Sequence, residues 1–134
     1  MGRGTDGRAS DLPSQSPTEA LEEGDALFSS EEFLTAAAAF SRALELDERC
    51  NGALLRRAEC FLRLHMPSSA LVDAAMAADD LTAAGEEGAE AAAQALGLKA
   101  AALRQLGEPG LALGALDEAI ERILLASQAG ADME

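Results

Sequence analysis

The sequence predicts an all-α chain built as a solenoid of three stacked helical hairpins, and three observations lead there. The apolar residues are mostly Ala and Leu, with four Phe and neither Trp nor Tyr. Such side chains favour helices and let them pack closely, whereas a sheet would call for more Val, Ile, Thr and aromatics. Apolar residues recur at spacings of three and four, the period of a helix face. The chain also overlays on itself. A shift of 34 residues carries Gly24 onto Ala58, Ala26 onto Cys60, Leu27 onto Phe61, Phe33 onto Pro67, Ala36 onto Ala70, Phe40 onto Ala74 and Ala43 onto Ala77. A further shift of 42 carries Ala58 onto Ala100, Phe61 onto Leu103, Pro67 onto Pro109, Ala70 onto Ala112 and Ala77 onto Ala119. A fixed period of this length is the signature of a stacked-repeat architecture, in which no single hairpin can bury its apolar stripe alone.

Each element has local support. Residues 1–15 are Gly- and Ser-rich without periodicity, and a disordered tail is expected there. Ser16-Pro17-Thr18-Glu19 offers an N-cap, a proline at the first helical position and a glutamate placed for a capping box, so a helix is expected from Pro17 to about Ser29. Ser29 with Glu32 is expected to cap the next helix, which carries Phe33, Ala36, Ala37, Phe40, Ala43 and Leu44 to about Leu46. Asn51 reads as a cap for a helix over 52–64 bearing Leu54, Leu55, Ala58, Phe61 and Leu62. His65-Met66 turns the chain, and Pro67 opens a helix ending near Leu81. The eight extra residues of the third copy fall between Leu81 and Ala92 and are expected to lengthen its first helix, over 86–106. Pro109 opens a last helix reaching about Ala126, followed by a flexible tail over 127–134. The repeat domain thus covers 16–126, in copies at about 17–50, 51–84 and 85–126.

The segment Gly24-Asp25-Ala26-Leu27-Phe28, followed by Phe33, Ala36, Phe40 and Ala43-Leu44-Glu45-Leu46-Asp47, resembles a tetratricopeptide repeat. The resemblance is close over 17–50, good over 51–84 and looser over 93–126. The usual Trp of the first helix is absent, and Glu48 stands where that family often has a turn proline.

The resemblance implies a right-handed superhelix whose first helices line a concave groove for a partner protein, the work of an adaptor or co-chaperone-like scaffold. The groove residues it implies are Leu21, Asp25, Phe28 and Ser29, then Leu55, Glu59, Leu62 and Arg63, then Gly97, Ala101, Arg104 and Gln105. Leu21, Phe28, Leu55 and Leu62 would form an apolar floor, with Asp25 and Glu59 on one rim and Arg63 and Arg104 opposite. One branch of the family binds acidic C-terminal peptides through basic groove residues. This chain has Leu21, Asp25, Glu59, Gly97 and Ala101 at the matching places, two acids and no base. The expected partner is therefore an apolar segment carrying basic residues.

Charge and composition narrow the function further. The net charge is −14, from 24 acidic and 10 basic residues. Such a field repels phosphate, so neither nucleic acid nor an anionic membrane is expected as a partner, and no membrane insertion is expected either. No apolar run reads as a signal peptide or a span, and two cysteines do not make a disulfide scaffold. A cytoplasmic setting, with the nucleus also open, is the default. His65 is the one histidine, which leaves no His-based triad or multi-histidine metal site, and no phosphate-binding loop is present. No enzyme activity, cofactor or metal is expected. An alternative role is structural: Leu111, Leu113, Leu116, Ile120, Ile123 and Leu124 give the last helix an apolar outer face on which self-association through 111–124 would build a homodimer.

Overall fold

The structure, a computed structural model, describes residues 16–132, with side chains described to 128. The expected tail over 1–15 and the last two residues lie outside the described residues. Six helices follow in order: α1 (Pro17–Ser29), α2 (Phe33–Leu46), α3 (Asn51–Arg63), α4 (Pro67–Ala83), α5 (Ala89–Gln105) and α6 (Pro109–Asp132), with a 3-10 turn at Gly85–Gly88 before α5. No strand occurs among the described residues. Each helix packs on the next, and α3 also touches α1 and α5, so three hairpins stack in sequence.

The capping box forms as the sequence predicts. Ser16 Oγ accepts from the Glu19 amide at 3.1 Å, and Glu19 Oε1 accepts from the Ser16 amide at 2.8 Å. Two expected caps do not form. Ser30 closes α1 rather than Ser29 opening α2, which begins at Phe33 without a side-chain cap. Asn51 lies within the first turn of α3, and its side-chain oxygen is buried without a hydrogen-bond partner.

The turn inside each hairpin is the same structure three times. Glu31, His65 and Gly107 have φ of 63°, 58° and 82°, and they stand at the repeat offsets of 34 and 42. At each, the left-handed residue donates its amide three residues back, to Phe28, Leu62 or Arg104, at 2.9–3.1 Å. The next amide donates five residues back, to Leu27, Phe61 or Leu103, at 2.8–2.9 Å. This is the double bond pattern that satisfies the last carbonyls of a helix. It turns the chain back with the same backbone hydrogen bonds in every hairpin.

The eight extra residues are shared out rather than placed in one helix. Relative to α2, helix α4 runs three residues further, and relative to α3, helix α5 starts four residues, about one turn, earlier; the connection between them is one residue longer. The expected helix over 86–106 is thus a 3-10 turn followed by a helix from Ala89. At the end of the chain α6 continues past Ala126 to Asp132.

The core follows the repeat. Ala36 and Ala70 are fully buried and their counterpart Ala112 nearly so, and Ala20, Leu54 and Leu96 are buried at another shared position. Methyl-sized side chains let the helices approach, and Phe40 and Leu96 fill the gaps beside them.

Candidate functional site

The face made by α1, α3 and α5 carries the residues that the sequence picks out. Leu21, Phe28 and Leu62 are half-buried, with part of each side chain packed on the core. Phe28 meets Phe33 edge to face, with ring centroids 5.1 Å apart. The Arg63 guanidinium lies 5.5 Å from both ring centres, a cation-π arrangement that shields apolar surface and keeps its own charge in water. Arg63 and Phe28 therefore form one unit at the surface.

Asp25 is 3.7 Å from the exposed Arg56, a neighbour that the sequence reading did not give it. Glu59 is half-buried, and Ser29 and Arg104 are exposed. The Gln105 side-chain amide donates to the Leu62 carbonyl at 3.4 Å, tying the third hairpin to the second. Leu55 departs from the expected floor. It is only 7% exposed and sits in the cluster of Leu54, Ala77, Ala78, Ala95 and Leu96, where α5 lies across α3 and α4. It supports the face from beneath.

One polar cluster escaped the sequence reading. Asp73 on α4 is buried, and its carboxylate accepts from Arg57 of α3 twice, at 2.7 Å from Nε and 2.9 Å from Nη2. Arg57 Nη1 also donates to Ser41 Oγ on α2 at 2.9 Å, and Ser41 donates to the Ala37 carbonyl at 2.9 Å. The guanidinium lies 5.7 Å from the Phe61 ring centre. The hydrogen bonds to Asp73 hold its pKa above the usual arginine value against the effect of burial. The cluster joins the first hairpin to the second. A signal was available: Asp73 stands three residues after Ala70 and four before Ala77, on the stripe that faces inward.

Helix α6 presents the most apolar surface. Leu113, Leu116, Ile120, Ile123 and Leu124 are 43–64% exposed on one side, while Ala112 and Ala115 face α5 and are buried. Beside this seam stand the exposed Asp117 and Glu121. Spacings of three and four make the seam one continuous stripe, the pattern on which another helix packs.

Among the described residues no group of three His, Cys, Asp or Glu side chains is placed to hold a metal ion, and no helix is long and apolar enough to cross a membrane. Cys50 and Cys60 are both free. No protein-family model matches this chain, and no curated protein matches it.

Proposed function

We propose that this chain is a protein-interaction module of the tetratricopeptide-like kind, an adaptor that receives a partner helix on the outer face of α6. The observation that carries this reading is the exposed seam of Leu113, Leu116, Ile120 and Ile123. A helix laid there continues the stacking order of α1 to α6 and covers apolar surface that is exposed among the described residues. The partner helix matches the seam with apolar residues and places Lys or Arg against Asp117 and Glu121. A second copy fits less well, because pairing two identical faces brings acid against acid in a chain of net charge −14.

The test combines light scattering with partner retention by the full chain and by an L113D/I120D variant. Exposed positions tolerate the change, so circular dichroism should be unaltered. The expected result is a monomer whose captured partner is lost from the variant. Equal retention by both proteins rejects the α6 face, and a dimer that the variant dissolves establishes the homodimer instead.

A second reading keeps the α1, α3 and α5 face as the partner groove, with Leu21, Phe28 and Leu62 as anchors and Asp25, Ser29, Glu59, Arg63, Arg104 and Gln105 around them. It draws support from the Phe28 and Arg63 pair, an aromatic and a cation held at the surface together. Phe28→Ala and Asp25→Lys proteins that bind the partner as the parent does would remove this reading.

A further inference from the structure

The junction between the second and third hairpins repeats the junction between the first and second, and the comparison exposes what the later one lacks. In the earlier junction Arg57 is clasped by Asp73 and Ser41 and lies against Phe61. At the repeat offsets, Arg57 becomes Lys99, Asp73 becomes Ala115, Ser41 becomes Ala75 and Phe61 becomes Leu103. Val72 and Ser68 become Gly114 and Gly110. A cation remains, but its carboxylate, its hydroxyl and much of the surrounding bulk are gone.

The result is an open groove of about 530 Å³ between α4 and α6, floored by α5. Leu71, Leu103 and Leu111 line it with Lys99. A Cβ added to Gly110 or Gly114 would meet nothing within 4 Å, so the space over α6 is unfilled. Glu118 stands at the edge, and its carboxylate is 3.8 Å from Arg122 one turn along. No described residue forms an ion pair with Lys99.

We infer that this groove binds a segment of a partner polypeptide in which an Asp or Glu stands between aliphatic residues. The carboxylate meets Lys99 as Asp73 meets Arg57, and the aliphatic neighbours rest on Leu71, Leu103 and Leu111. Charge complementarity within the molecule points to this occupant, since the earlier junction holds a carboxylate against the cation at this position. The site is separate from the seam on α6 and stands or falls without it. The acidic chain as a whole repels an acidic ligand at long range, so the contact is short-ranged and is measured at about 0.15 M salt, where screening acts over about 8 Å.

The test is a titration of the full chain, labelled with 15N, using the capped tripeptide acetyl-Leu-Asp-Leu-amide and its Asn counterpart. The expected result is movement of the Gly110, Gly114 and Ala115 amide signals with the Asp peptide and about ten-fold weaker binding of the Asn peptide. Lys99→Met abolishes the response. Ala115→Asp also abolishes it, by placing a carboxylate in the chain where Asp73 stands one hairpin earlier, and Gly114→Val does so by filling the groove with the side chain found at Val72. Signal dispersion reports folding in each variant. Equal binding of the two peptides, no response at millimolar concentration, or an unchanged response in Lys99→Met overturns the inference. So does equal binding of 4-methylpentanoate, which would make the groove a small-acid site, or movement of the same signals with protein concentration alone, which would give it to a second copy.

Discussion

Gly24 and Phe40 interlock: a Cβ built on Gly24 would sit 2.5 Å from Cε1 of the Phe40 ring, well inside contact distance. One hairpin later the same two positions hold Ala58 and Ala74, both fully buried. The same crossing is filled by different pairs, glycine under a phenylalanine ring in the first hairpin and alanine against alanine in the second.

Gly24→Ala should therefore destabilise the fold. Overpacking costs about 1–3 kcal/mol, and the gain in helix propensity returns about 1 kcal/mol. A net loss of up to about 2 kcal/mol is expected in urea denaturation. Adding Phe40→Leu to Gly24→Ala should recover part of it, because the smaller side chain vacates the contested space. Strict additivity of the two changes would show that they do not share that space.

The Arg57 and Asp73 pair should behave as a coupled unit. Asp73→Ala leaves a guanidinium in the junction without its acid and is expected to cost about 2–3 kcal/mol. The figure sits at the low end for a buried pair, since the Arg57 side chain is 24% exposed and part of its charge reaches water. Replacing Arg57 by Met in the Asp73→Ala background should restore much of the loss. Arg57→Lys should also destabilise, because an ammonium cannot donate to both carboxylate oxygens and Ser41 in the fork geometry seen here. A double-mutant cycle read by chemical denaturation decides the matter.

Two of the three hairpin turns carry a side chain in a conformation that glycine adopts freely. Glu31→Gly and His65→Gly should each stabilise the protein by about 0.5–1 kcal/mol, since both residues are exposed and lose the left-handed penalty. Gly107→Ala should cost about 1 kcal/mol by the same reasoning in reverse. Thermal unfolding of the three variants measures this, and a loss of stability in both glycine variants would show that the side chains do more than turn the chain.

Cys60 is fully buried on α3, and burial, reinforced by the Glu59 charge, pushes its thiol pKa from about 9 up to about 11. The folded protein holds this proton more tightly than the unfolded chain. Its contribution to stability is present below about pH 9 and is lost as the pH rises through about 11. At neutral pH the thiol is inert, so a thiol reagent should label the partly exposed Cys50 first and reach Cys60 only on unfolding. A Cys60→Ala protein should show a shallower fall in stability between pH 9 and 11.

Helix placement was legible in the sequence because it rests on local rules. Pro17, Pro67 and Pro109 mark where α1, α4 and α6 begin, and the period of Ala and Leu marks the face that turns inward. The offsets of 34 and 42 carried the hairpin count and also located the left-handed residues at Glu31, His65 and Gly107 once their geometry was known. The caps at Ser29 and Asn51 were misplaced for the converse reason. A side-chain oxygen near a helix start is a local possibility, and the turn geometry after α1 and the packing at the start of α3 decide whether it is used.

What the tertiary structure alone decided is which of the paired positions along those faces meet. Leu21 and Leu55 are one repeat apart and identical, yet the second is buried under α5 while the first stays half open. Arg63 stands over Phe28, Arg57 reaches Asp73 sixteen residues on, and Lys99 is left without the acid that its counterpart has. Periodicity fixes the direction in which a side chain leaves its own helix. Its neighbours come from helices that the chain brings alongside, and whether that meeting ends in a salt bridge, a core or an open groove depends on the volumes and charges of both.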